Sequence, residues 1–218
     1  MHIEFLVEDF SGAKLVELLV PKILGESANL HTWRVINYKG IGRLPEGLDS
    51  KSDPAKRILL DRLPKILQGY ARTPGYDAVV VICDSDNRDC RQFLADLKSI
   101  SGQYSPNITV LFRLAIEEIE AWYLGDRPAL ISRYPRAKKE ILARYEQDSI
   151  CGTWELLADA LHPGGSRAAK AGGIRVSGQL KIEWAEQIGP VMNVECNLSA
   201  SFQKFRDGVR RICAERKL

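Results

Sequence analysis

Residues 78–86 read AVVVICDSD, and this stretch decides the fold. It begins with six apolar residues, most of them β-branched, which is typical of a strand that a parallel sheet buries on both faces. Asp84 and Asp86 follow directly. Because ligands of open parallel sheets bind outside the carboxyl ends of the strands, the stretch predicts an α/β fold with a site at that edge.

Outward from this strand, short apolar runs alternate with helical patterns through the first half of the chain. Strands are predicted over residues 3–7, 32–38, 78–83 and 108–114. Helices are predicted after the first strand, over residues 54–67 and 88–100, and from about Ala115 onward, with a polar, glycine-rich loop over residues 40–53. This β-α-β-α order predicts a mainly parallel sheet flanked by helices on both faces.

The pattern changes after about residue 125, where only helices are predicted. They cover residues 137–145, 153–161, 180–188 and 199–215. Residues 163–178 contain five glycines and three basic residues without an acid, which predicts a mobile basic loop. We therefore expect an α/β core over residues 1–125 and a helical extension over residues 126–218 that packs on the core.

The composition fits a globular chain and narrows the kinds of site it could hold. The 218 residues are 45% hydrophobic and 27% charged, with a formal net charge of +3. The five cysteines lack the spacing of a zinc ribbon or redox pair, so we expect reduced thiols in a cytoplasmic protein. The N-terminus shows no signal-peptide pattern, and no apolar run approaches the length of a membrane span. With only three histidines, a metal site would consist mainly of carboxylates.

Carboxylates follow three of the four predicted strands. They are Glu8 and Asp9 after the first strand, Asp84 and Asp86 after the buried strand, and Glu117, Glu118 and Glu120 after the last. Several carboxylates in one crevice repel one another unless they share a cation. Because only oxygen ligands are available, the pattern favours Mg²⁺ or Mn²⁺.

Each of these acids also has a structural interpretation. Asp9 or Ser11 could cap the first helix, which would leave Glu8 unexplained. For Glu117 and Glu118 we favour an interaction with a helix N-terminus through its dipole. Asp84 and Asp86 could belong to a turn and a helix cap, but two acids directly after so apolar a strand favour a functional role.

Other motifs with paired acids fit less well. An EF-hand loop counted from Asp84 needs glycine at its sixth position, where Asp89 stands. Haloacid-dehalogenase phosphatases carry their Asp-x-Asp after the first strand, whereas this pair comes later. The sequence contains no Walker loop and no dinucleotide-binding glycine fingerprint.

A strand ending in Glu8, a helix, and a later strand ending in Asp84-Ser85-Asp86 resemble a Toprim domain. This is the metal-binding module of topoisomerases, primases and nucleases of the overcoming-lysogenization-defect type. The resemblance implies that Glu8 binds metal or transfers a proton and that Asp84 and Asp86 hold Mg²⁺. Many Toprim nucleases carry a second acid four residues after their glutamate, and here that position is Gly12.

A narrower resemblance covers most of the chain. Residues 118–126 read EIEAWYLGD, which is similar to the Glu-Ala-Trp-x-Leu-x-Asp signature of an uncharacterised Toprim-like family of prokaryotic proteins. Residues 198–205, LSASFQKF, resemble its Ser-x-Ser-Phe-x-x-Phe element. The match implies Glu120 as the third metal-site acid, with Asp126 after it, and an ATPase partner in prokaryotic defence. For Trp122 we favour core packing.

Basic residues flank the acidic pattern. Residues 31–76 hold nine Lys or Arg and four Asp or Glu. In residues 163–178, the bases are Arg167, Lys170 and Arg175, for which we favour contact with phosphate. The last helix carries further bases, for which we favour a solvated face: Arg206, Arg210, Arg211, Arg216 and Lys217.

Three functions remain as hypotheses. The first is a Mg²⁺-dependent nuclease that cleaves DNA or RNA, with metal at Glu8, Asp84, Asp86 and Glu120. The second is a Toprim-like module that binds nucleic acid or a partner without cutting, for which Gly12 is the main support. The third is a small-molecule phosphatase.

Overall fold

The protein contains a four-stranded, all-parallel sheet. The computed structural model describes residues 1–45, 47–48 and 53–215. The strands are β1 (His2–Val7), β2 (Thr32–Asn37), β3 (Ala78–Asp84) and β4 (Thr109–Ala115), in the order β2-β1-β3-β4. Their order and direction confirm the predicted α/β class and the parallel sheet.

Ten α-helices surround this sheet in the described residues. They are α1 (Phe10–Leu24), α2 (Leu59–Arg72), α3 (Cys90–Tyr104), α4 (Glu120–Leu124), α5 (Arg127–Arg133), α6 (Lys139–Leu142), α7 (Thr153–Leu161), α8 (Gly165–Ala171), α9 (Gly173–Ile188) and α10 (Ala200–Ala214). Short 3-10 turns cover Gly25–Leu30, Pro54–Lys56 and Gly189–Val191. After β4 the described chain is helical with no further strand, which confirms the helical C-terminal part. The boundary at residues 125 and 126 stays a prediction.

Two hydrophobic cores lie on opposite faces of the sheet. Successive side chains of β3 alternate between them, with Val80 and Ile82 in one core and Val79 and Val81 in the other. The first core is formed with α1 and the helices from α4 to α10, and the second with α2 and α3. Strand β3 is therefore buried on both faces, as its composition predicts.

The prediction of a mobile loop over residues 163–178 is wrong. These residues form α8 and the first part of α9. Gly165 and Gly173 have positive φ angles of 68° and 76° and lie at the first positions of the two helices. Between them, Ala169 is fully buried in the first core. Four of the five glycines lie at or next to the ends of these helices and Gly178 lies inside α9, so their number does not indicate a loop.

Several predicted boundaries also shift. The predicted helix from Ala115 does not form, because β4 extends to that residue and α4 begins only at Glu120. Pro54 opens a single 3-10 turn rather than a helix, and the helix predicted over residues 137–145 shrinks to α6. Residues 46 and 49–52 of the predicted loop lie outside the described residues, as do Arg216 and Lys217. Within the described part of the chain, every helix is too short or too polar to cross a membrane.

Candidate functional site

Glu8 and Asp84 meet at the carboxyl edge of the sheet. Val7, the last residue of β1, is in register with Ile82 of β3, so the next residues of the two strands are neighbours. The Oε2 atom of Glu8 accepts a hydrogen bond from the backbone N–H of Asp84 at 3.1 Å. The parallel register thus brings two predicted site residues together.

Glu120 supplies a third carboxylate to this region. It is the first residue of α4 and only 1% exposed. Burial, followed by the charges of Glu8 and Glu120, raises the pKa of Asp84, so Glu120 and Asp84 lie within electrostatic range. The Oε2 atom of Glu120 is buried and has no hydrogen-bond partner in the described structure. One oxygen of this side chain is therefore left unsatisfied.

Lys181 lies among these acids. Its Nζ atom is 3.3 Å from Oε1 of Glu120 and 3.4 Å from Oε1 of Glu118. Burial disfavours the charged ammonium, but Glu120, Glu118 and Asp84 outweigh this and raise the pKa of Lys181 above its usual value. The ammonium is therefore a counterion for these carboxylates. We call the four residues Glu8, Asp84, Glu120 and Lys181 the acid cluster.

Sequence reasoning missed Lys181, since the residue lies in a helical pattern far from the strand ends. Packing of α9 against α1 carries it to the sheet edge. The available signal was indirect, because several acids converging on one buried edge require a cation nearby.

The carboxylates of the acid cluster hold their protons unusually tightly. Burial raises the pKa of Glu8 to about 7, aided by the charges of Asp86 and Asp9 and opposed by the hydrogen bond from Asp84. Burial also raises the pKa of Glu120 to about 7 and that of Asp84 well above its usual value. One ammonium does not neutralise the carboxylates of Glu8, Asp84 and Glu120, so the acid cluster retains negative charge when fully ionised.

Asp86 lies on the exposed rim of the acid cluster. Its backbone has a φ angle of 46°, and its carboxylate forms a 2.6 Å salt bridge with Nη1 of Arg88. The turn after β3 that contains Asp86 is held to the segment after β4, because the Ser85 hydroxyl accepts a hydrogen bond from the backbone N–H of Glu117 at 2.8 Å. Asp86 raises the pKa of Glu8, so it lies within electrostatic range.

Asp9 caps helix α1, as one of the two interpretations predicts. Its Oδ1 atom accepts the N–H of Gly12 at 2.7 Å, and its Oδ2 atom accepts the Ser11 hydroxyl at 2.9 Å. A Cβ atom added to Gly12 would lie 3.0 Å from that Oδ1 atom and 3.1 Å from Cγ1 of Val7. The position of the missing second acid is therefore tightly enclosed.

Glu117 and Glu118 interact with a helix N-terminus, but the helix is α7 rather than one that follows β4. The Glu117 carboxylate accepts backbone N–H groups of Cys151, Gly152 and Thr153 at 2.8–3.1 Å and the Thr153 hydroxyl. Burial opposes its charged form, but these bonds outweigh burial and lower the pKa of Glu117. Glu118 accepts the N–H of Trp154 at 2.9 Å.

Asp126 caps a helix instead of joining the acid cluster. Its Oδ1 atom accepts the N–H of Ala129 at 3.1 Å at the start of α5. Its Oδ2 atom accepts the N–H of Asn193 at 2.6 Å. Both oxygens are thus occupied by backbone donors.

The two signature segments pack on each other. Trp122 is fully buried and stacks on Phe205 at a centroid distance of 5.1 Å, which confirms core packing. Its Nε1 atom donates to the Ser201 hydroxyl at 3.0 Å, and the N–H of Leu198 donates to the carbonyl of Gly125 at 2.8 Å. Helix α4, which carries Glu120, is therefore held in place by α10.

The predicted phosphate-binding bases lie on α8 and α9. Lys170 forms a 2.7 Å salt bridge with Glu155 and lies 5.9 Å from the ring centre of Trp154. Arg167 and Arg175 are exposed, and neither forms a salt bridge within the described residues. Of the three, these two arginines remain free to meet a polyanion.

Comparisons with protein-family models, curated proteins and solved structures find no match to this chain. Within residues 1–45, 47–48 and 53–215, no three His, Cys, Asp or Glu side chains already converge closely enough to form a metal centre. What the geometry offers is a buried group of acids with one ammonium and one unsatisfied oxygen.

Proposed function

We propose that this protein is a Toprim-like, Mg²⁺- or Mn²⁺-dependent nuclease that hydrolyses phosphodiester bonds of DNA or RNA in the cytoplasm. The observation that carries the proposal is the buried, unpartnered Oε2 atom of Glu120, which lies within electrostatic range of Asp84. A buried polar oxygen without a partner is costly, and a cation would satisfy it.

The donor chemistry of the acid cluster suits a hard divalent cation. Glu8, Asp84 and Glu120 offer only oxygen atoms, and Asp86 could join them from the rim by releasing Arg88. When bound, the metal would offset charge on the phosphate and make a bound water more acidic. The raised pKa values of Glu8, Asp84 and Glu120 fit carboxylates that a bound cation would stabilise in their charged form.

The chain's own residues would act on the proton and the phosphate. A carboxyl group with a pKa of about 7 can accept and release a proton near neutral pH, which suits Glu8 for general base work. Lys181 would exchange part of its pairing with Glu120 for a phosphate oxygen. Arg167 and Arg175 would contact the backbone of the polyanion farther out.

The test is cleavage of labelled single- and double-stranded DNA and RNA in Mg²⁺ or Mn²⁺. We expect Glu120→Gln and Asp84→Asn to lower the rate by more than about a hundredfold, since each removes an oxygen anion from the site. Glu26→Gln, an exposed change in the 3-10 segment that precedes β2, is the matched control. Equal rates in the three variants would overturn the proposal.

A second candidate function is a binding module that does not cut. Its support is the enclosed Gly12 position, which leaves no room for a further acid, together with Lys181 as a built-in counterion. Saturable nucleic-acid binding by the wild type without cleavage in either metal would favour it. The ATPase partner, the role in defence and the phosphatase alternative rest on the sequence alone. Hydrolysis of p-nitrophenyl phosphate would favour the phosphatase.

A further inference from the structure

An open cleft of about 460 Å³ runs along the outer edge of β4. This strand is the last of the sheet, and no described strand pairs with its outer side. Helix α3 forms one wall of the cleft and α10 the other. Its volume lies in the range of ligand pockets, about 300–1,000 Å³.

The lining of the cleft has a net positive charge. Arg91, Arg113 and Lys204 line it, and none of them forms a salt bridge in the described part of the chain. The one acid in the lining is Asp148. Its carboxylate already accepts hydrogen bonds from the hydroxyls of Ser199 and Ser201.

Arg113 is held in the cleft by a built arrangement. Its Nε atom donates to the carbonyl of Lys204, and its Nη1 atom donates to that of Phe112, both at 2.7 Å. The guanidinium passes over Gly208, where an added Cβ atom would come 2.2 Å from Nη2. Burial, followed by the charge of Arg211, lowers the pKa of Arg113. The charge of Asp207 opposes this shift without outweighing it. The cation is partly desolvated and its two hydrogen-bond acceptors are neutral carbonyls, so an anion would stabilise it.

Strand β4 presents different chemistry to the two sides of the cleft, and Arg91 adds a positive charge on the α3 side. On the α3 side the strand presents Phe112 and Leu114, next to Leu94. On the α10 side it presents Arg113 beside Lys204. The backbone N–H and C=O groups on the free side of an edge strand can pair with another extended chain. On β4 the Phe112 carbonyl accepts Nη1 of Arg113, so an added strand would replace that bond.

We propose that this cleft binds an extended segment of a protein partner in which apolar residues alternate with carboxylates, added beside β4 as a fifth strand. Side chains of a strand alternate between the two faces of its sheet. The acids would therefore meet Arg113 and Lys204, while the apolar residues pack on the half-buried side chains of Leu114 and Leu94. Main-chain pairing provides affinity in this mode, and alternate side chains provide specificity.

A single-stranded nucleic acid fits the cleft less well. Such ligands stack their bases on exposed aromatic rings. The aromatic residue of the lining, Phe112, is only 3% exposed. The proposal concerns a surface outside the acid cluster and stands independently of nuclease activity.

The test uses a fluorescein-labelled Asp-Val-Asp-Val-Asp-Val peptide and the full chain, with binding measured by anisotropy. We expect saturable binding that weakens at least tenfold in Arg91→Glu/Lys204→Glu and remains unchanged in Lys98→Glu. Arg91 and Lys204 are exposed, and Lys98 is an exposed control on α3 outside the cleft. Slower hydrogen exchange of residues 109–115 in the complex would support pairing with β4.

Three results would overturn the proposal. The first is the absence of saturable binding, and the second is equal binding of a Lys-Val-Lys-Val-Lys-Val peptide. The third is displacement of the peptide by a single-stranded oligonucleotide whose own affinity falls in Arg91→Glu/Lys204→Glu. That result would mean that the cleft binds nucleic acid. Unchanged melting temperatures of both variants exclude a folding defect as the cause of weak binding.

Discussion

Two buried glutamates of this protein have opposite surroundings. Glu4, in β1, is fully buried, and both of its oxygens are occupied by Arg34, Tyr70 and His2 at 2.9–3.1 Å. Glu120, at the carboxyl edge, has Lys181 beside one oxygen and no partner for the other. The first carboxylate is satisfied by its fold, whereas the second has room for something the fold does not supply. The comparison teaches that burial of a charge is uninformative until its partners are counted.

Replacing the basic side chain beside each glutamate measures this difference. The largest loss of stability is expected when Lys181 is removed from Glu120. Lys181→Met leaves the Glu120 carboxylate buried and unpaired, which should cost about 3–5 kcal/mol. For a chain of this size, the melting temperature at pH 8 should fall by about 10 °C. Scanning calorimetry without divalent metal measures it. Lys98→Met, on an exposed helix face, should stay near the wild type. A fall below 2 °C would mean that Glu120 is already satisfied.

Arg34→Met is the matched change at Glu4 and should cost less. His2 and Tyr70 remain as donors, so the loss corresponds to hydrogen bonds to a charged group, about 2 kcal/mol. The melting temperature should fall by about 6 °C in the same calorimetric experiment. A loss larger than that of Lys181→Met would reverse the comparison.

Divalent cations should act on one glutamate and not on the other. At a Mn²⁺ concentration ten times its dissociation constant, binding to the folded state adds about 1.4 kcal/mol, or about 4 °C. The shift should persist in Arg34→Met and disappear in Asp84→Asn. Thermal scans with and without millimolar Mn²⁺ detect it. An equal shift in Asp84→Asn would place the cation elsewhere.

The smallest effect is the pH dependence of stability. The pKa of Glu8 rises from 4.5 to about 7 on folding, so the folded state binds more protons in this window. Stability should therefore fall as the pH rises from about 4.5 to about 7, since proton binding then favours the folded state progressively less. Glu8→Gln should flatten this fall by at most about 1.4 kcal/mol, or about 4 °C, per pH unit. Melting curves across the window test it, with the exposed Glu17→Gln as a control that keeps the wild-type slope.

Features encoded locally could be predicted from the sequence. The apolar run before Asp84 fixes a buried strand, and the parallel order fixes that Glu8 and Asp84 share an edge. The cap formed by Asp9 also depends on three adjacent residues only. In each case the deciding interactions lie within one element or between neighbouring strands.

Features that depend on packing between distant elements could not be predicted. Lys181 reaches the acid cluster because α9 packs on α1, and no spacing in the sequence encodes that contact. The partner of Glu117 is a helix whose first residue lies 36 positions away. The prediction of a loop over residues 163–178 is wrong because composition alone does not distinguish a glycine at the end of a helix from a glycine in a loop.

Ser201 links two parts of the molecule by one side chain. It lines the cleft beside β4, and its hydroxyl accepts the Trp122 indole N–H in the helix that begins at Glu120. Trp122 also stacks on Phe205 of α10, so the helix that begins at Glu120 is packed against the helix that lines the cleft. A change that moves Ser201 away from Trp122 therefore removes one of the contacts that anchor the helix on which Glu120 lies.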